Sequence, residues 1–227
     1  MPVYALNHRI VFPPVENAEP DGLLAVGGDL TPERLFHAYS LGIFPWYAPG
    51  SPILWWSPDP RLVLFPEELH ISSSLRKFLR RNAFQVSFDK AFKYVITRCA
   101  TVPRPNGPGT WLVPEMRCAY IKLHEVGVAH SVEVWEGGEL VGGIYGVALG
   151  RIFFGESMFH TRANASKVAL IHLVQRLRRW DFQVLDCQQT TQHMLRFGAR
   201  EIPRTQFMTI LEETATLPTI FGKWADD

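Results

Sequence analysis

The sequence predicts a mixed α/β (α+β) fold, in which a small, loop-rich N-terminal lobe precedes a larger domain built on a mixed sheet. The first sixty or so residues are rich in proline, glycine and aromatic side chains and lack a regular hydrophobic period. Two apolar runs on either side of Gly137-Gly138 indicate a β-hairpin. A long amphipathic helix and a further strand follow, which is typical of a sheet covered by helices. We place the lobe at residues 1–61 and the larger domain at residues 62–227.

The composition is that of an ordinary globular protein with a substantial core, since 47% of the 227 residues are hydrophobic. The net charge of +1 does not itself indicate nucleic-acid binding, although a local basic patch is compatible with it. Cys99, Cys118 and Cys187 lack the spacing of a zinc site and are expected to be free thiols. The sequence shows neither a signal peptide nor an apolar run of about 20 residues. We expect a cytoplasmic monomer without metal or cofactor.

Caps and hydrophobic spacing predict the elements of the first half. Thr31-Pro32-Glu33 is a typical helix start, and the helix is expected to run from Pro32 to Leu41 and to end at Gly42. The aromatic segment that follows is expected to form loops. The larger domain then begins with a predicted strand and three predicted helices, at residues 62–65, 72–81, 87–99 and 114–126 respectively.

The second half is predicted to alternate between strands and helices. Its strands are expected at residues 131–135, 140–149, 152–154 and 183–188, its helices at 166–180 and 190–197, and a last strand after Gly198. This order resembles the core of the GCN5-related N-acetyltransferase fold. In that fold a glycine-rich turn before the long helix holds the pyrophosphate of coenzyme A. The equivalent residues 157–167 contain no glycine, so the sequence favours acyl transfer but argues against coenzyme A as the donor.

A basic stripe is predicted on the helix at residues 72–81. It consists of Arg76, Lys77, Arg80 and Arg81, which form two pairs spaced four residues apart. Such a stripe neutralises phosphates and gives salt-dependent binding to nucleic acid. The alternative is a solvated helix face without a partner.

The aromatic side chains of the lobe have two interpretations. Trp46, Tyr47, Trp55 and Trp56 either pack the lobe or stack on bases and enclose an apolar side chain. Trp111 follows a flexible Gly-Pro-Gly-Thr turn that can present its indole to a ligand.

Polar side chains stand at the ends of two predicted strands. Gly155-Glu156-Ser157 follows one strand, while Asp186 and Gln188 end another, where their spacing of two places them on one face. We expect the Gln188 amide to donate a hydrogen bond to Asp186 and to be oriented by it. The alternative is a buried, satisfied polar pair.

Several motifs together resemble the bacterial leucyl/phenylalanyl-tRNA–protein transferase family, from about residue 20 to about residue 210. The most specific are the runs WWSPDPR at residues 55–61 and GESMF at residues 155–159. The others are FPW at 44–46, GTW at 109–111, HSVEVW at 130–135, LVGGIYGV at 140–147 and DCQ at 186–188.

The resemblance implies an aminoacyltransferase with two lobes, the second of them acetyltransferase-like. The implied donors are tRNAs charged with leucine or phenylalanine, and less readily methionine. The implied acceptors are proteins with an N-terminal Arg or Lys, which the added residue marks for degradation through the N-end rule. The alternatives are a coenzyme A-dependent N-acyltransferase and a non-catalytic tRNA-binding module.

The resemblance also implies a role for individual residues. Asp186 and Gln188 handle the attacking amine, and Glu156 helps to hold the acceptor. We further expect that an ionised Glu156 carboxylate pairs with the cationic side chain of the acceptor. The basic stripe matches the helix that binds the acceptor stem. The implied surroundings of the donor amino acid and terminal adenosine are Trp55, Trp111 and Tyr120, and the implied walls of the apolar pocket are Ile144, Phe153 and Met158. Ile144 stands where the family often has Met, and its stiffer side chain leaves the order of preference among the donors open.

Overall fold

The computed structural model describes residues 3–103 and 112–224, and within them it contains two sheets. The four-stranded sheet has the order β1-β2-β4-β3, and the seven-stranded sheet has the order β11-β5-β10-β9-β8-β7-β6. The strands of the first sheet are β1 (Tyr4–Leu6), β2 (Leu23–Gly27), β3 (Phe44–Pro45) and β4 (Leu54–Trp56). Those of the second are β5 (Arg61–Leu64), β6 (Gln85–Phe88), β7 (Ala129–Glu136), β8 (Glu139–Leu149), β9 (Ile152–His160), β10 (Val184–Gln188) and β11 (Arg200–Ile202). The predicted mixed α/β class is confirmed.

Seven α-helices lie in the described residues, together with single 3₁₀ turns at Val15–Asn17 and Pro66–Glu68. They are α1 (Pro32–Ser40), α2 (Ser73–Leu79), α3 (Phe92–Thr101), α4 (Pro114–Glu125), α5 (Ala165–Arg179), α6 (Gln192–Leu195) and α7 (Arg204–Ala215). Helix α1 begins as the sequence predicts, because the Thr31 side chain accepts from the Arg34 N–H and Pro32 occupies the first helical position.

The strands β7, β8 and β9 form an antiparallel meander, which confirms the predicted hairpin. Its turn is made by Gly137 and Gly138, whose φ angles of 58° and 85° suit glycine. Helix α5 then crosses over to β10, which pairs in parallel with β9. Strand β9 runs to His160, well beyond the predicted end at residue 154, so the GESMF run lies inside a strand.

The predicted helix at residues 87–99 is wrong in its first part. Strand β6 ends at Phe88, and helix α3 starts only at Phe92, after a break at Asp89 with a φ of 53°. The cause is tertiary, because the buried Glu133 carboxylate accepts the hydroxyl of Ser87 and, through longer contacts, the N–H groups before α3. The prediction also missed α7 and the whole four-stranded sheet, whose strands β3 and β4 lie in the aromatic segment that is expected to form loops.

The seven-stranded sheet separates two layers. Helix α5 packs on β7, β8 and β9 from one side, and α3 and α4 pack on the same strands from the other. The core on the α3 side continues into the four-stranded sheet, where Tyr39 and Trp55 share one apolar cluster with Tyr120 and Phe154. The predicted boundary after residue 61 lies one residue inside β5, and the division into two domains stays a prediction. No helix in the described part of the chain is long and apolar enough to cross a membrane.

Candidate active site where β9 and β10 stop pairing

Two neighbouring parallel strands end their pairing beside a group of polar side chains. Strands β9 and β10 pair up to Phe154 and Asp186. Beyond that pair the Gln188 amide bridges the gap, because its Nε2 donates to Glu156 Oε1 at 2.8 Å. Glu156 and Gln188 are both half-buried, so a ligand can reach them. Gln188 therefore joins Glu156, through its side chain, to Asp186, through its backbone.

The Glu156 carboxyl also contacts two buried phenols. Tyr39 Oη lies 2.7 Å from Oε1, Tyr120 Oη lies 2.9 Å from Oε2, and the two Oη atoms are 2.5 Å apart. We call this group the carboxyl–phenol ring. It has three close O···O contacts, but the phenols supply only two hydrogens. A proton on the Glu156 carboxyl supplies the third hydrogen, so that each of the three O···O contacts is a hydrogen bond.

The electrostatics of Glu156 favour that proton. Burial raises the pKa of Glu156 to about 7, while the donors Tyr39, Tyr120 and Gln188 partly oppose the rise and the charge of Asp186 adds to it. Burial and the neighbouring Glu156 also raise the pKa of both phenols well above its usual value, so both stay protonated. At neutral pH the Glu156 carboxyl is thus divided between its two protonation states.

Asp186 does not receive the Gln188 side chain, which corrects the expected hydrogen bond. Its carboxylate instead forms a bidentate ion pair with Arg61, at 2.9 Å from Nε to Oδ1 and 2.7 Å from Nη2 to Oδ2. Both side chains are buried. Oδ1 also accepts the backbone N–H of Gln188 at 2.9 Å. Asp186 therefore binds the backbone N–H of Gln188, and Glu156 binds the side-chain amide of Gln188.

The backbone of Gln188 has an unusual conformation. Its φ is 62°, in the left-handed region, and the register between β10 and β5 shifts between Asp186 and Gln188. A residue with a side chain adopts such a φ at a cost of about 1 kcal/mol or more, which its surroundings must offset. The irregularity turns the Gln188 side chain towards β9.

The predicted donor-binding residues lie in different environments. Tyr120 belongs to the carboxyl–phenol ring, whereas Trp55 is fully buried and donates its indole N–H to the Gly27 carbonyl at 2.9 Å. Trp111 lies outside the described residues. A cavity of about 1070 Å³ extends along the N-terminal ends of α1 and α4, between Thr31 and Glu115, and Tyr47 contributes to its lining.

The three predicted pocket walls lie on the α5 side of the sheet. Ile144 and Met158 are directly paired on β8 and β9. Ile144 and Phe153 are almost completely buried, so only Met158 presents much surface. The structure thus separates these apolar residues from Tyr39 and Tyr120, which belong to the core on the opposite side.

The basic stripe is exposed along its whole length. Arg76 and Lys77 lie in the last turn of α2, Arg80 caps the helix and Arg81 follows it. Within residues 3–103 and 112–224, no carboxylate forms an ion pair with any of the four. Their charges are therefore available to a polyanion. In the same ranges no group of His, Cys, Asp or Glu side chains has the arrangement of a metal site.

Sequence reasoning missed two members of the site, Tyr39 and Arg61. Tyr39 lies 117 residues from Glu156 and Arg61 lies 125 residues from Asp186, so no local spacing reveals these contacts. Arg61 was visible only as the last residue of the WWSPDPR run.

Comparison with known proteins gives a consistent family. The profile of the leucyl/phenylalanyl-tRNA protein transferase family matches residues 63–212, and that of the family's N-terminal domain matches residues 28–59. Three curated relatives are described as leucyl/phenylalanyl-tRNA–protein transferases. The protein of Nitratidesulfovibrio vulgaris strain DP4 is 59% identical over 225 residues, covering 99% of this chain and 96% of the relative. That of Syntrophobacter fumaroxidans is 62% identical over 213 residues (94% and 91%), and that of Myxococcus xanthus is 54% identical over 228 residues (100% and 97%).

Two solved structures show distant similarity to this chain. A GCN5-related N-acetyltransferase from Kribbella flavida has 7% identity and a TM-score of 0.33, over 73% of this chain and 59% of that one. L-PGS from Bacillus licheniformis has 12% identity and a TM-score of 0.40, over 68% and 50%.

Proposed function

Because this chain belongs to the leucyl/phenylalanyl-tRNA protein transferase family, we propose that it joins leucine or phenylalanine to proteins that begin with Arg or Lys. The coarser activity follows from the family, since the chain is a transferase that moves an amino acid from aminoacyl-tRNA to a protein. The proposal adds that methionine is a poorer donor and that the extended acceptor is marked for degradation through the N-end rule.

The observation that carries the proposed site is the half-buried Glu156 carboxyl, held by two phenols and the Gln188 amide where β9 and β10 stop pairing. The donor is an ester that is already activated, so the enzyme chiefly needs to hold ester and amine in line. Such positioning supplies several kcal/mol of barrier reduction. An α-amino group has a pKa of about 8, so a useful fraction is neutral near pH 7 and no strong base is required.

Gln188 is the proposed guide for the attacking amine. Its Nε2 is engaged with Glu156, and within the described residues nothing donates to its Oε1. That oxygen accepts an N–H of the amine as its nitrogen attacks the ester carbonyl. The C–N bond forms, the bond to the ribose oxygen breaks, and the proton lost by the nitrogen passes to the departing ribose oxygen directly or through water. The amide oxygen itself holds no proton at neutral pH.

Glu156 is the proposed partner of the acceptor's cationic side chain. A carboxylate has about four lone-pair sites, and the ring and Gln188 occupy two on Oε1 and one on Oε2, which leaves one on Oε2. An incoming guanidinium or ammonium favours the ionised carboxyl and lowers its pKa. Binding of an Arg or Lys side chain therefore releases the proton from the carboxyl–phenol ring, whereas an apolar first residue gains nothing there.

The remaining roles concern the donor. The basic stripe is proposed to bind the acceptor stem, because its four cations are exposed and form no ion pair within the described part of the chain. Met158, which shares the α5 side of the sheet with Ile144 and Phe153, is proposed to contact the donor side chain. Trp55 and Trp111 are proposed to shape the binding site of the terminal adenosine, Trp55 from within the core.

A transfer assay with two acceptors tests the proposed function. The protein is incubated with labelled Leu-tRNA and peptides that begin with Arg or Ala, and Glu156→Gln is compared with the unaltered chain. Transfer to the Arg peptide, and a loss of the preference for Arg in Glu156→Gln, support the proposal. Absence of transfer with intact Leu-tRNA refutes the donor, and unchanged selectivity in Glu156→Gln refutes the role of that carboxylate.

A further inference from the structure

Arg61 is enclosed more tightly than an ordinary surface arginine. It begins β5, its side chain is 1% exposed, and its guanidinium carbon lies 4.9 Å from the ring centroid of Phe44 and 4.7 Å from that of Phe207. Its Nη1 has no hydrogen-bond partner among residues 3–103 and 112–224. The hydrogen bonds of the guanidinium therefore all go to Asp186, and the two rings fix its plane.

Asp186 transmits this constraint to the backbone. Its Oδ1 accepts from Arg61 Nε and from the Gln188 N–H at the same time, both at 2.9 Å. The bidentate pair leaves the carboxylate only one orientation. In that orientation Oδ1 holds Gln188 in the left-handed conformation, with its φ of 62°.

The constraint extends as far as the side-chain amide of Gln188, which is proposed to accept a hydrogen bond from the attacking amine. With its backbone held, Gln188 reaches Glu156 Oε1 at 2.8 Å and turns its own oxygen away from that carboxyl. Among the described residues the hydrogen bonds of Arg61 go to Asp186 alone, so its effect on transfer is expected to pass through Asp186 and Gln188.

We propose that Arg61 is a positioning residue for aminoacyl transfer, which fixes the Gln188 amide through Asp186 without contacting either substrate. The inference rests on the proposed function, because it assigns Arg61 to that reaction. Lysine keeps the charge but has no planar fork for two parallel hydrogen bonds. Arg61→Lys therefore still allows an ion pair with Asp186 but no longer fixes the orientation of the Asp186 carboxylate.

The test compares Arg61→Lys with Arg176→Lys, a second buried arginine packed against aromatic rings, on α5. We expect Arg61→Lys to lower kcat about tenfold to a hundredfold, with the KM values for Leu-tRNA and Arg peptide within about twofold. Arg176→Lys is expected to keep kcat. Combining Arg61→Lys with Gln188→Ala is expected to lower kcat no further than Gln188→Ala alone, because both act on one amide.

Independent effects of Arg61→Lys and Gln188→Ala would overturn the proposal, as would equal kcat in the two lysine variants. If Arg61→Lys does not fold, Arg61→Met with Asp186→Asn removes both charges of the pair together. That double variant is expected to lower kcat at unchanged KM, and a wild-type kcat would overturn the proposal. Failure of the unaltered chain to transfer leucine would instead refute the proposed function.

Discussion

Replacing Glu156 with Gln is expected to change how the stability of the protein depends on pH. The folded chain holds the Glu156 proton up to a pKa of about 7, whereas the ordinary value is 4.5. The folded state therefore binds more protons than the unfolded state between these values, and raising the pH through this window destabilises it. Glutamine preserves the hydrogen bonds of the protonated acid, because its oxygen accepts from Tyr39 and its amide donates towards Tyr120, but it does not titrate.

The magnitude follows from the pKa difference. At about 1.4 kcal/mol per pH unit, the full shift corresponds to a penalty of about 3 kcal/mol above pH 7. Because Glu156 is half-buried, solvent screening reduces this figure, and we expect about 1–3 kcal/mol. Glu156→Gln is thus expected to gain this much stability relative to the unaltered chain when the pH is raised from 5 to 8.

Urea unfolding at pH 5 and pH 8 measures the effect. All other titrating groups are common to both proteins, so the difference between the two unfolding free energies isolates position 156. Glu139→Gln, which removes an exposed carboxylate at the start of β8, is the control for the loss of one charge. A difference that stays constant within about 0.5 kcal/mol between the two pH values, or one that favours Glu156 at pH 8, would refute the reasoning.

Three further expectations concern activity. Tyr39→Phe removes a donor that stabilises the Glu156 carboxylate, so the acid limb of kcat/KM for the Arg peptide should move to higher pH by about one unit. The control Tyr94→Phe changes an exposed tyrosine and should leave the pH profile unchanged, and identical profiles in the two variants would exclude a role for the carboxyl–phenol ring. The double variant Arg76→Ala with Arg80→Ala should raise the KM for Leu-tRNA about tenfold and make that KM less dependent on salt concentration. The control Lys93→Ala removes a lysine that pairs with Glu125 and should change neither quantity, whereas an unaltered salt dependence in the double variant would show that the basic stripe is only a solvated helix face. Ile144→Met should raise the use of Met-tRNA relative to Leu-tRNA several-fold, because the more flexible side chain adapts to the donor, and an unchanged ratio in a competition assay would remove Ile144 from the pocket.

The fold was predictable where local sequence determines structure. Gly137-Gly138 between two apolar runs predicts the hairpin, and Thr31-Pro32 predicts the start of α1, because turns and caps depend on neighbouring residues. The break at Asp89 was not predictable, because it depends on Glu133 from another strand. Likewise, β11 pairs with the distant β5 rather than with β10, which no local pattern indicates.

The candidate site was likewise predictable only where local sequence determines it. The sequence groups Glu156, Asp186 and Gln188 as polar residues at strand ends, and in the structure Gln188 contacts Glu156 through its side chain and Asp186 through its backbone. The direction of their hydrogen bonds depends on the left-handed backbone at Gln188 and on Arg61, which reaches Asp186 from a strand 125 residues away in sequence. Such contacts exist only once the sheet has formed.

The most direct test of the account is the single-turnover rate of leucine transfer by Gln188→Glu. At this position a carboxylate would face Glu156 and would have no amide hydrogen to donate to it, so the 2.8 Å contact would be lost. We expect the rate to fall about a hundredfold with little change in the KM for Leu-tRNA. A rate equal to that of the unaltered chain would contradict the claim that the Gln188 amide, held between Asp186 and Glu156, guides the attacking amine.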